Sequence, residues 1–481
     1  MKYLSFNKLM TLLIAATLFV GCSSDDDDNN GTNGDSGPVL GPQQTGESTE
    51  VTGETEELSG AMHGTLQANK TYKLVGDLTV QEGRELVLEE GVRIESTAGG
   101  EAMGEAFSFH IFGSFYSLGT ESNPNRITTI PENRTESNWN QGYIGGFIGM
   151  QGAKDIVLKW THMEYFGGRM QYQNPVFDEG ETIYGFYTED ENTTLIIEDS
   201  WLRFFLDDAI RPEGGKIAIL RNTFESIGGV EGEALNAKSG TVGVFAYNMV
   251  IGLATNGPKT GSGGGLPTQS IIDVYNNTIV GGGYRRVAPG RGGYMNIERG
   301  AGGYWYNNIV ANCRYGMRVV DDADYNRTFI GYTHYFGHGT FDNDEGPLSD
   351  NFYPENGAIN DDFPMSHITN DNLDNIDPEF ANHDVTQFSQ SDYRGVHEQS
   401  IITPHNLNRV GNQDFRLSGS SPLIGAGSTS DFTPNNPFGS TTGEKSLTYP
   451  IPAPSADIGC YPSTGFDNGK GNRHYTHDYY P

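Results

Sequence analysis

Between Thr71 and Ser96 the chain reads TYKLVGDLTVQEGRELVLEEGVRIES, with apolar residues alternating or clustering in runs of strand length. Glu82–Gly83 and Glu90–Gly91 punctuate these runs, so the segment predicts strand, turn and strand. Apolar spacing of the helical kind is almost absent along the chain, and 65 glycines sit with Asn and Asp between the short β-rich runs. The pattern predicts an all-β protein.

The middle of the chain repeats. IIEDSW, ILRNTF, FAYNMV, VYNNTI and WYNNIV align so that Asp199, Asn222, Asn248, Asn277 and Asn308 share one column, at spacings of 23, 26, 29 and 31 residues. Two places later stand Trp201, Phe224, Val250, Ile279 and Val310. One polar side chain per repeat beside a stacked apolar position is what a parallel β-helix requires. The amide satisfies the backbone of a buried bend, and each turn of the solenoid covers its neighbour. Rungs keep a near-constant perimeter, so the growth in spacing predicts loops. NGPKTGSGGGLPT (256–268) and YRRVAPGRGGY (284–294) are the expected insertions, emerging from one side of the solenoid.

GTLQANKTYKLVGDLTVQEGRELVLEEGVRIES, FGSFYSLGTESNPNRITTI and IVLKWTHMEYFGG resemble the surface lipoproteins of Bacteroidota that carry a right-handed parallel β-helix of the pectate-lyase-like kind. The block from Thr255 to Val320 is similar to the core coils of that family, and DFRLSGSSPLIGAG with ADIGCYP to its closing segment. The resemblance implies one right-handed β-helix of roughly ten coils over residues 58–462, followed by a tail at 463–481. It fixes no activity, because one architecture hosts many.

Ahead of the solenoid, Lys2 and Lys8 form a positive segment before an apolar stretch too short for a stop-transfer helix, and Gly21 precedes Cys22. Residues 1–21 read as a lipoprotein signal peptide, with Cys22 the acylated anchor to a lipid membrane. Segment 23–57 holds ten acidic residues and no Lys or Arg, so 22–57 reads as a disordered tether spanning about 30–35 Å. CSSDDDD resembles the export address of outer-membrane lipoproteins, which implies a location facing the cell exterior. Cys313 and Cys460 are too few for a disulfide framework. With 62 acidic against 30 basic residues the net charge is −32, which excludes nucleic acid as a natural partner.

Counting onward from the ladder gives a charged face. Asp207, Asp208 and Arg211 follow Asp199, Glu231 and Glu233 follow Asn222, and Asn256 and Lys259 follow Asn248. Arg285 and Arg286 follow Asn277, and Arg314 and Arg318 follow Asn308. Three readings stay open. One is a ladder of surface ion pairs, contributing about 0–1 kcal/mol each. The second is a groove for a polar or anionic glycan, with Arg285, Arg286, Arg291, Arg299, Arg318 and Lys259 as cations and Tyr284, Tyr294, Tyr304 and Trp305 as flat faces. The third is a polysaccharide lyase acting on uronic acids. Asp207, Asp208, Glu231, Glu233 and Arg285 would then supply base and charge neutralisation, and calcium is a possible cofactor at Asp342 and Asp344. FLDDAIRP and FGHGTF are similar to motifs of β-helix polygalacturonases, but 130 residues separate Asp208 from His338 and the companion Asn-Thr-Asp is missing. That match is set aside. The leading expectation is a surface lipoprotein that binds a polysaccharide or another nutrient, or serves as accessory to an outer-membrane transporter protein; a structural or adhesive role is the third.

Overall fold

The structure is a computed structural model describing residues 42–229, 231–286, 292–293, 295–320, 322–340, 346–353, 359, 361–388, 413–439 and 451–465. A leading unit, Met1–Pro38, lies outside them, and with it the signal peptide, Cys22 and most of the acidic segment. The second unit, Val39–Pro481, contains the solenoid. Among the described residues no helix is long and apolar enough to cross a membrane.

Each coil of this right-handed parallel β-helix contributes a strand to three faces. The first face stacks eleven parallel strands in direct succession, from residues 64–66 through Glu85–Leu88 and Thr194–Glu198 to Ile368–Thr369. The second runs from Arg93–Ser96 to His334–Phe336. The third is paired in two stretches, Phe107–Ile111 to Ile210–Pro212 and Leu235–Ala237 to Met317–Val319. Parallel register makes like stack on like. Leu158, Ile197, Ile219, Phe245, Val274, Trp305 and Ile330 form one continuous buried column. Phe109, Phe147 and Phe186 stack face to face at 4.4 and 5.0 Å. Both Gly83 and Gly91 take positive φ at the expected turns.

A one-residue bend joins the first face to the second. Trp160, Asp199, Arg221, Tyr247, Asn276, Asn307 and Tyr332 all occupy the left-handed region there, with φ between 47° and 59°. Immediately after it comes the amide ladder. Asn222 accepts from Ser200 N–H at 3.0 Å, Asn248 from Asn222 N–H at 2.9 Å, Asn277 from Asn248 N–H at 2.9 Å, and Asn308 from Asn277 N–H at 3.0 Å. Each amide also donates back to a carbonyl one coil earlier: Ile197, Ile219, Phe245 and Val274.

Two register expectations change at the first aligned repeat. Ser200, not Asp199, holds the ladder position, and Leu202, not Trp201, pairs with Phe224 in the core column. Asp199 sits on the bend itself, where it receives Arg221 Nε at 2.9 Å from the next coil. The motif shifted because Asp and Asn look alike in sequence, whereas the hydroxyl of Ser200 does the amide's work.

The boundaries differ too. Thr49–Glu50 pairs in parallel with Met62 and His63, and Val51 is buried, so the end of the segment expected as tether covers the open edge of the first coil. At the other end, residues after Ile368–Thr369 leave the coils. Phe380–Asn382 pairs antiparallel with Asp414–Leu417, and the chain then returns along the bend column. Tyr247 and Tyr275 donate to the carbonyls of Ala453 and Pro452, and Asn307 Nδ2 donates to those of Ser428 and Ser455. This closing strap covers Tyr304, which stacks on Phe329 and Phe432 at 5.0 and 5.4 Å.

Candidate functional site

The third face changes character along its length. In its strands Leu235 and Ala237, Met295 and Ile297, and Met317 and Val319 point into the core. Alternation therefore turns Asn236, Asn296 and Arg318 outward between them. Register places Asn236 beside Lys259, Lys259 beside Asn296, and Asn296 beside Arg318. One coil before Asn236, Arg211 pairs with Tyr187. An outer column Arg211, Asn236, Lys259, Asn296, Arg318 results, one polar side chain per coil.

Two rims flank it. On the side of the second face lie Asp207, Asp208, Glu231, Glu233, Asn256 and Arg286. Asp208 accepts Glu233 N–H and Asn236 Nδ2, both at 2.8 Å, and lies 3.7 Å from Arg211. Glu233 accepts Asn256 Nδ2 at 2.9 Å, and Arg286 lies 3.1 Å from Glu231. On the side of the first face stand Glu213, Lys238 and Glu298. Glu213 is 3.5 Å from Arg211, and Glu298 is 3.4 Å from Lys259 and 3.7 Å from Arg318. The four acids named from sequence thus share one rim.

The electrostatics follow from this crowding. Burial, reinforced by the Glu233 and Glu231 carboxylates, pushes the Asp207 carboxyl up to about 7. Burial and the neighbouring Arg211 and Lys259 charges push the Lys238 ammonium down to about 8. Glu298 is held below the usual carboxylate range, because the pull of Lys259, the Asn296 amide, Lys238 and Arg318 together outweighs its burial.

Asn236, Lys259 and Asn296 are only 3, 3 and 1% exposed. The amide nitrogens are engaged, Asn236 with Asp208 and Asn296 with Glu298 Oε2 at 2.9 Å. Their side-chain carbonyl oxygens have no hydrogen-bond partner among the described residues. A buried acceptor without a donor costs roughly 1–3 kcal/mol, so two in one column call for a reason. The rim stays accessible: the Glu231, Glu213 and Arg318 side chains keep 36, 31 and 22% exposure.

Several expected ligand contacts lie elsewhere. Arg285 is buried, and its guanidinium donates to the carbonyls of Ile227, Gly228, Gly229 and Gly252, a strut tying coils together. It therefore offers neither a ligand fork nor a neutralising charge to the rim. Trp305 is in the core column, since the strand Gly303–Tyr306 turns it inward. Tyr284 is buried with its hydroxyl on Asn312 O at 2.8 Å, and Tyr304 lies under the strap. Arg299 occupies a turn after the third-face strand, its backbone N–H on Asp322. Arg291, Tyr294, Asp342 and Asp344 fall outside the described residues, within which no cluster of three or more His, Cys, Asp or Glu is arranged around a metal.

The expected insertions do not share a side. Pro258–Gly261, inside 256–268, is itself a third-face strand, with the loop after it, whereas 284–294 precedes the third-face strand Met295–Glu298. Residues 262–268 follow their strand and the described residues 284–286 precede theirs, on opposite sides of the column. Sequence missed Asn236, Lys238, Asn296 and Glu298. The signal was a lone polar residue inside LNA and MNI, strands too short to stand out.

Cys313 and Cys460 are both free and buried. The chain matches no protein-family profile, no curated protein and no solved structure.

Proposed function

We propose that this chain is a cell-surface lipoprotein of the Bacteroidota type, anchored in the outer membrane through acylated Cys22, that captures an anionic polysaccharide along its third face. The observation that carries the reading is the outer column of Asn236, Lys259 and Asn296, closed at its ends by the partly exposed cations Arg211 and Arg318. Uronate or sulfate groups meet these cations, and sugar hydroxyls donate to the partly exposed rim carboxylates Glu213 and Glu231. The test is affinity electrophoresis of the secreted Cys22→Ser chain in gels cast with galacturonate, mannuronate or glucuronate polymers. Retardation is expected with at least one polymer and is lost in Arg211→Met/Arg318→Met. Migration identical in every gel defeats the capture reading and leaves the transporter-accessory role, to be sought by co-purification from membranes.

Lys238 favours a second reading, β-elimination. An ammonium held near 8 among Arg211, Lys259, Glu298 and Asp208 is suited to act as a base once deprotonated. It would take the C5 proton of a uronate while the C4–O bond breaks. The electron pair leaves with that oxygen, which is then protonated, and a C4–C5 double bond remains. Arg211 would neutralise the uronate carboxylate. Growth of unsaturated-uronate ultraviolet absorbance, absent in Lys238→Met, supports the lyase; a flat trace with every bound polymer rejects it.

A further inference from the structure

Residues 167–185 join the second face to the third in the coil that precedes Arg211, and they do not follow the wall. Met170 N–H donates to Glu181 O, Gly180 N–H to Met170 O, and Arg169 bridges Thr182, which makes an antiparallel hairpin. Asn174 closes its tip by accepting from the N–H groups of Val176 and Phe177. The hairpin lies flat on the outside of the third face. Met170, Phe177 and Ile183 pack on Phe112, Ile148 and Tyr187, and Tyr172 donates to Asp77 Oδ2 at 2.8 Å beside His110. So the outer surface of the coils before Arg211 is covered by apolar packing. The polar column begins where that packing ends, and Tyr184 marks the junction with the Arg211 guanidinium 4.5 Å above its ring.

We propose that the hairpin makes the column blind at this end, so that the site receives the terminus of a glycan chain rather than a stretch of its interior, with Tyr184 as the wall against the last sugar. This rests on the glycan-capture reading. From Arg211 to Arg318 the column crosses four coil steps, about 19 Å at ~4.8 Å per step. An aromatic face and a charged partner at the wall suit a ring with a carboxylate.

Isothermal titration of the Cys22→Ser chain with uronate oligomers of defined length and with the long polymer separates the possibilities. One protein per glycan chain is expected at every length, with affinity rising until the oligomer spans the column and flat thereafter. Tyr184→Ala is expected to weaken binding about tenfold at unchanged stoichiometry, with Tyr184→Phe largely restoring it. A protein count that rises with polymer length overturns the blind end while leaving glycan capture intact. Tyr184→Ala binding as tightly as the parent overturns the wall. No heat with any oligomer or polymer defeats the capture reading itself, and the inference with it.

Discussion

Asn248 is the rung whose loss the structure prices most clearly. Its side chain is fully buried. Its Oδ1 accepts Asn222 N–H at 2.9 Å, and its Nδ2 donates to Ile219 O at 3.0 Å and Asn277 Oδ1 at 3.1 Å. Asn248→Ala strands one backbone donor, Asn222 N–H, away from water and takes one donor from Ile219 O, while Asn277 Oδ1 keeps the N–H of residue 248. At about 1–3 kcal/mol for the stranded donor and about 1 kcal/mol for the lost bond to Ile219 O, the expected loss is roughly 2–4 kcal/mol. Asn248→Ser is the control, because Ser200 already performs this role: its Oγ accepts Thr161 N–H at 3.0 Å and donates to Glu198 O at 2.9 Å. That variant should lose only about 1 kcal/mol, the worth of one ordinary hydrogen bond. Solenoids open locally, so amide hydrogen exchange is the assay. The amide of residue 222 and its neighbours should lose protection in Asn248→Ala while the coils around Leu86 and Phe115 keep theirs. Equal protection in the Ala and Ser variants would refute the ladder as a source of stability.

Three other outcomes follow from the same structure. Because the Asp207 carboxyl is raised from 3.8 to about 7, the folded state holds its proton more tightly, and stability falls as pH rises through that window; Asp207→Asn should match the parent near pH 4 and unfold at higher denaturant above pH 7. Burial pushes both the Cys313 and Cys460 thiols up to about 12, so Ellman's reagent should reach these two only after denaturation, and fast native labelling at either would contradict their placement. Asn307→Ala removes the amide that holds Ser428 and Ser455 and puts a β-carbon residue without a polar side chain at φ 58°; limited proteolysis should then cut within 421–461 first, and unchanged cleavage would show the strap to be held elsewhere.

The fold was legible because a β-helix writes its repeat into the chain. Asn222, Asn248, Asn277 and Asn308 each do the same two tasks, so one residue type recurs at one register position. Where another side chain does those tasks, as Ser200 does, the alignment slipped by one residue. The candidate site was half legible for a related reason. Charge can be read from sequence, and the acids Asp207, Asp208, Glu231 and Glu233 do gather on one rim with Arg286, while Lys259 and Arg318 pair with Glu298 on the other. Direction cannot be read where a strand is three or four residues long and its neighbours supply the register. Arg285 and Arg286 are adjacent, yet one is a buried strut and the other pairs with Glu231 on the rim.

Trp305 and Asn296 show the same effect in opposite senses. Trp305 looked like a sugar platform, but its column is set by Val274 and Ile330 on either side, and both are core residues. Asn296 drew no attention among Met and Ile, yet those two residues are what turns it outward beside Lys259. In a parallel stack, whether a side chain faces core or ligand is decided by the coils above and below it. The unfilled carbonyls of Asn236 and Asn296 are therefore consequences of register, and a polar column of this kind becomes visible only when the coils are superposed.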